Sequence, residues 1–125
     1  MVNNNFTVRV LTHYVEEQSE PDNKRYVFSY TVTIENNGGR DAQLLRRKWL
    51  VTDANEKKLV IEGEGVVGEQ PVIVAGDQYT YTSGTVIETP VGVMQGHYSM
   101  QFDDDETPFT IDMAPFRLAL PNILH

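Results

Sequence analysis

Y-V-F-S-Y-T-V-T-I-E, residues Tyr26 to Glu35, is the stretch that decides the fold. Successive side chains of a strand point to opposite faces, so Phe28, Tyr30, Val32 and Ile34 share one side and Ser29, Thr31, Thr33 and Glu35 the other. Asn36-Asn37-Gly38-Gly39 then breaks the strand, since Asn and Gly are the residues that accept the positive φ of tight turns. Upstream, Glu16 to Arg25 carries charge, Pro21 and the pair Asp22-Asn23 without apolar periodicity, and reads as a loop. Before it, Phe6 to Val15 alternates at first (Phe6, Val8, Val10), a strand with one wet face. The alternation slips at Leu11, where a bulge is expected to shift the facing.

Downstream the same period continues. In A-Q-L-L-R-R-K-W-L-V-T-D (Ala42 to Asp53), Leu45, Arg47, Trp49 and Val51 share a face, and Leu44, Arg46, Lys48 and Leu50 share the other. Gln43 to Leu50 could wind as a helix, but Val51-Thr52-Asp53 and the turn Asp53-Ala54-Asn55 favour a strand and a hairpin. Lys57 to Glu62 is the returning strand, followed by a glycine-rich loop. Pro71 to Val74 is too short for a helix and closes on the turn Ala75-Gly76-Asp77. Gln78 to Ser83 alternates aromatic and hydroxyl side chains as a strand, and Gly84 to Gly92, with Pro90, reads as a connection. Val93 to Phe102 sets Met94, Gly96, Tyr98, Met100 and Phe102 in phase. Asp103-Asp104-Asp105-Glu106 is a hairpin tip, Pro108 to Met113 runs back, and Pro115 bends the chain into a last segment with Phe116, Leu118 and Leu120 in phase.

Seven or eight short antiparallel strands without a convincing helix predict an all-β sandwich, immunoglobulin-like or fibronectin type III-like, with neither repeat nor low-complexity linker. The Cys-Trp-Cys hallmark of antibody domains is absent, so packing alone holds it, with Trp49, Phe28, Tyr30, Tyr98 and Phe102 as the expected core. The 125 residues suit one domain, 1–125 with a core of about 6–120. With no cysteine there is no disulfide, thiolate nucleophile or sulfur zinc site. Eighteen acidic against ten basic side chains give a net charge of −8, which opposes nucleic acid unless the ten gather on one face. No apolar run approaches the roughly 20 residues of a membrane span, and the polar start Met1 to Asn5 is unlike a signal peptide, which points to the cytoplasm.

The segments W-L-V-T-D-A-N (Trp49 to Asn55), G-E-G-V-V-G-E-Q-P (Gly63 to Pro71), Y-T-S-G (Tyr81 to Gly84), T-P-V-G-V-M-Q-G-H-Y (Thr89 to Tyr98) and P-F (Pro115, Phe116), in this order, resemble the ApaG family. Its members are small bacterial proteins, and the same domain occurs in larger eukaryotic proteins. The resemblance spans nearly the whole chain and implies a fibronectin type III-like sandwich with no established enzymatic activity. It further implies an association with cobalt resistance and magnesium efflux. Eukaryotic members, an F-box protein and a DNA polymerase delta-interacting protein, imply a protein-binding role, and the family's glycine motif has been suggested to bind pyrophosphate or nucleotide. Two departures stand out. Arg47-Lys48-Trp49 lacks the histidine that usually separates the arginine and tryptophan, and the acidic run Asp103 to Glu106 varies among members.

The candidate site is the loop with Gly63, Gly65 and Gly68 spaced as G-x-G-x-x-G. Glycine is what lets a phosphate approach a backbone closely and lets consecutive amides converge on it. A dinucleotide fingerprint also needs a strand before, a helix after and an acid about 20 residues on. The strand is there and Glu88 has the separation, but Glu69 to Val74 turns at once into β-prone sequence, so no helix N-terminus faces a diphosphate. Glu62, Glu64 and Glu69 flank the glycines and repel an anion, and no Gly-Lys-Ser/Thr follows. Arg46-Arg47-Lys48 is the only basic concentration, expected as a solvated strand face, with Arg47 able to pair bidentately and to neutralise the glutamates were it beside the loop. Asp103 to Glu106 lacks the spaced ligands of a calcium loop and reads as a charged turn. His13, His97 and His125 are far apart, and Ser83 lacks the elbow glycines of a hydrolase.

The sequence therefore predicts a non-enzymatic interaction module with no cofactor, no metal site and no catalytic residue. It would bind a protein partner through Gly63, Glu64, Gly65, Gly68, Glu69 and Arg47. The alternative is a small-ligand binder taking pyrophosphate, nucleotide or a divalent cation through the Gly63 to Gly68 loop.

Overall fold

In a computed structural model that describes residues 5–121, eight strands form two antiparallel sheets packed face to face. The start Met1 to Asn4 and His125 lie outside the described residues. The strands are β1 (Phe6–Tyr14), β2 (Tyr26–Asn36), β3 (Ala42–Asp53), β4 (Lys58–Glu64), β5 (Val72–Ile73), β6 (Gln78–Ile87), β7 (Val91–Phe102) and β8 (Phe109–Ala119). The first sheet has the order β1-β2-β6, the second β4-β3-β7-β8 with β5 also paired to β3. Two 3-10 turns, Glu16–Gln18 and Pro21–Asn23, occupy the expected loop. Among the described residues no helix is long and apolar enough to cross a membrane.

β2 is the centre of the first sheet, and Phe28, Tyr30, Val32 and Ile34 are buried as their alternation requires. They face Trp49 and Val51 of β3, Met94, Tyr98 and Met100 of β7, and Ile111, Met113 and Leu118 of β8. Burial of side chains this large contributes on the order of 2 kcal/mol each. Trp49 is wholly enclosed, with the rings of Tyr30, Phe116 and Tyr98 edge-on at 5.6, 5.5 and 6.1 Å. On the outer face, Thr31 meets Thr82 and Thr33 meets Thr80 in hydroxyl pairs at 2.8 and 3.0 Å. Phe102 is only partly buried, stacked on Phe109 at 4.4 Å with the Arg40 guanidinium 3.8 Å above it.

The structure moves both phase slips. β1 pairs with β2 without interruption from Phe6 to Tyr14, so the bulge expected at Leu11 is absent; Leu11 simply faces solvent, 75% exposed. The bulge is instead on β3, where Leu44 pairs with Met100 and Arg46 with Ser99, leaving Leu45 unmatched. Ala42 and Leu44 are thereby turned inward with Arg47, Trp49 and Val51, and Leu45, expected on Trp49's face, is only partly buried and stands outside the core cluster. A second bulge, on β8, sets Met113 opposite Gly96 and Phe116 opposite Met94, so Pro115 shifts the phase within one strand rather than opening a new segment.

Two further expectations change. The β-branched Thr85, Val86 and Ile87 extend β6 well past Ser83, leaving only Glu88–Pro90 as the connection where Gly84 to Gly92 was expected. The break at Asn36 to Gly39 uses no positive φ. Asn36, buried, closes it with its amide: Nδ2 donates to the carbonyls of Arg40 and Ile73 at 2.8 and 2.9 Å, and Oδ1 accepts from the Gly38 N–H.

Candidate functional site

The glycine loop is fastened to the β3 bulge. Having no ladder partner, Leu45 offers its carbonyl sideways, and it accepts from the Gly65 N–H at 2.7 Å and from Gln70 Nε2 at 2.9 Å. Gln43 returns a bond from Nε2 to the Gln70 carbonyl at 3.0 Å, and the Leu44 N–H bonds the Pro71 carbonyl at 2.9 Å. β4 runs further than its sequence pattern suggests, to Glu64, so Gly63 sits inside a strand opposite Arg47. The bare Gly63 backbone lets the Arg47 side chain cross: a Cβ at that position would stand 3.2 Å from Nη1. Arg47 then donates from Nη1 to the Gly65 carbonyl at 2.8 Å and reaches the Glu64 carbonyl at 3.4 Å.

Beyond Gly65 the chain dips and turns. Val66 is inserted into the core with no exposed surface, and its N–H and carbonyl bond the carbonyl and N–H of Glu69 at 2.7 and 3.0 Å. Two residues remain for the turn, Val67 at φ 48° and Gly68 at φ 80°, the conformation of a type I′ hairpin turn. Gly68 meets this need freely, whereas a β-branched residue resists it and Val67 is a genuine outlier. Val67 is also 63% exposed, the tip of the loop. Gly65 is held at φ 65° with the Glu69 carbonyl oxygen where a Cβ would stand, so no other residue fits.

This geometry brings Arg47, Gly63, Glu64, Gly65, Gly68 and Glu69 together, but not as a phosphate cradle. The amides of Gly65 and Val66 are spent inside the fold and Nη1 of Arg47 on loop carbonyls. Glu69 Oε1 accepts from the Tyr79 hydroxyl at 3.1 Å, and Glu62 lies 3.9 Å from Lys48, so the glutamates are not gathered on Arg47. What the loop presents is an exposed apolar point, Val67, with the exposed Glu64 and Glu69 beside it.

The other singled-out residues are dispersed. Arg46 and Lys48 are exposed on the outer face of β3, away from Arg47. At the acidic tip, Asp104 takes Arg40 at 2.7 Å, a contact that holds its carboxyl below the usual range, and Asp105 Oδ1 accepts the Thr107 N–H at 2.9 Å. His97 lies opposite Asp112 across β7 and β8, and the exposed His13 opposite Ser29.

Two features escape a linear reading. One is a knot of hydroxyls inside the sandwich: Tyr81 from the first sheet hydrogen-bonds Tyr98 from the second, with Tyr30 alongside. Burial pushes Tyr81 up to about 12 and raises Tyr30 and Tyr98 too, partly offset by the nearby Arg47 charge. The other is a second basic concentration, where Lys24 and Arg25 meet Lys57 and Lys58 around one cleft. The strand alternation could have flagged the tyrosines; only topology joins residues 24–25 to 57–58.

Comparison with known proteins agrees with the geometry. A sequence model of the ApaG domain matches residues 16–102. The chain is 69% identical over 116 residues to Protein ApaG of Photobacterium profundum, covering 93% of this chain and 91% of that protein. It is 54% identical over 118 residues to Protein ApaG of Escherichia coli O1:K1, covering 94% of each. A Bordetella pertussis crystal structure superposes with a TM-score of 0.90 at 43% identity, covering 94% of each chain.

Proposed function

Since the chain belongs to the ApaG family, we propose that it works as an interaction module whose Val66–Glu69 turn inserts into a protein partner. The observation that supports this reading is Val67: an apolar, β-branched side chain kept at positive φ and 63% exposed, between a buried Val66 and a glycine. Strain of this kind costs of order 1–3 kcal/mol and persists where the surroundings over-determine it, often at contact sites. A preformed apolar point loses little conformational entropy on binding. Its flanking Glu64 and Glu69 favour a partner whose pocket has a basic rim. In this reading the association of the family with cobalt resistance and magnesium efflux passes through the partner.

Gly65 is unsuited as a probe, because any side chain there overlaps the Glu69 carbonyl and disrupts the loop itself. Val67→Asp changes only the tip. The test is affinity capture from extract of the native cells with a photo-crosslinking residue at position 67 or, as control, at exposed Leu11. A defined protein crosslinked from position 67, absent from position 11 and lost to competition by wild type but not by Val67→Asp, supports the reading. Identical products from both positions, or none, overturn it.

A further inference from the structure

The cleft between the open edges of the two sheets, where β4 begins and β6 ends, is a second site independent of the glycine loop. We propose that it binds a small amphipathic anion, a phosphate monoester carrying an apolar body. The cleft has a volume of about 450 Å³, within the range of small-molecule sites. Its walls supply Lys24 and Arg25 from the loop before β2, Lys57 and Lys58 from the start of β4, and Glu88 and Asp53 opposite them. In a chain of net charge −8, four of its ten basic residues converge on this one concavity.

The charges do not cancel locally. Lys57 is committed to Glu88 at 3.1 Å. Asp53, 8% exposed, spends Oδ1 on the backbone N–H groups of Asn55 and Lys57 at 2.8 and 2.9 Å. Lys24, Arg25 and Lys58 remain, and among the described residues none of them has a carboxylate within ion-pair distance. Two are held by the backbone. Lys24 occupies the left-handed cap of its 3-10 turn at φ 54°, and Arg25 closes a bridge with Glu20 while its Nε donates to the Gln18 carbonyl at 3.2 Å. Lys24, Lys58 and the remaining N–H groups of Arg25 together suit a doubly charged head group.

The remaining lining is apolar. Val51 and Ile87 form a buried floor, and Leu59 and Val86 stand 48% and 41% exposed on either side. Apolar surface between cations selects an anion with an organic body over a bare ion. Asp53, Glu88 and the overall negative charge disfavour an extended polyanion.

The test is a titration of the labelled full chain with phenyl phosphate, followed by amide chemical shifts, with inorganic phosphate and benzyl alcohol as separate arms. Saturable shifts at Lys24, Arg25, Lys58, Leu59 and Val86, weaker binding of both other probes, and an unmoved Val66–Glu69 turn are expected. The exposed pair of substitutions Lys24→Gln and Lys58→Gln should weaken binding about tenfold, the loss for two partly screened charge contacts. No saturable shift at millimolar phenyl phosphate, equal binding of either other probe, shifts centred on Arg47, or undiminished binding by the double variant would each overturn the assignment.

Discussion

Tyr81 and Tyr98 bridge the sandwich: one hydroxyl from each sheet, hydrogen-bonded to one another between the layers. Burial favours the neutral phenol, pushing Tyr81 up to about 12 from its ordinary 10 and raising Tyr98 and Tyr30 as well. An unfolded chain therefore gives up these protons first. The share of the stabilisation that Tyr81 supplies is complete below pH 10 and is lost as pH climbs through about 12. Ultraviolet titration should show the tyrosinate signal of these three residues only as near-ultraviolet dichroism collapses. Ionisation of all six tyrosines in an intact fold would contradict the enclosed geometry.

Gly65 and Gly68 are both left-handed and should respond unequally to alanine. Gly68 has open space around it, so Gly68→Ala costs only the backbone preference, about 1 kcal/mol. Gly65→Ala adds an overlap with the Glu69 carbonyl and is expected to cost roughly 3 kcal/mol or more. Urea midpoints compared at constant slope measure both.

Val67→Asn should stabilise the protein by about 1 kcal/mol, since asparagine tolerates positive φ and valine resists it. The same variant should bind the partner more weakly. A rise in melting temperature together with weaker capture would mean that stability is given up at the tip for recognition.

Arg47→Ala removes the donor to the Gly65 carbonyl and should cost about 1–2 kcal/mol. Lysine should recover only part of it, since an ammonium lacks the planar fork that crosses Gly63. Faster amide exchange at Val66 and Glu69 in Arg47→Ala would locate the loss in the loop.

Much of the fold is legible in the sequence because alternation is a local signal: Phe28 to Ile34 state their facing outright. The bulges are not local in that sense. Leu44 and Leu45 are chemically identical, and only the register against Met100 and Ser99 decides which is enclosed. The end of β6 was hidden by Gly84 and Pro90, whose turn signals outweighed Thr85-Val86-Ile87 on paper but not beside β2, where Gly84 pairs with Ser29. At the site, the spacing of Gly63, Gly65 and Gly68 announced a special backbone without saying why. Each glycine answers a different demand: room for Arg47, clearance of the Glu69 carbonyl, and the second position of a turn. The cleft at Lys24 and Lys58 was unreadable because the 31 residues from 26 to 56, including all of β2 and β3, separate its two halves.

The unmatched residue Leu45 bears on transplantation. Its carbonyl is available to Gly65 and Gln70 only because the strand carries one residue too many. Moving the string from Gly63 to Pro71 onto another sandwich would thus deliver a sequence without its dock. A working graft must import the adjoining strand from Leu44 to Arg47, extra residue included, and the recipient's own inward and outward positions must be rewritten from there on.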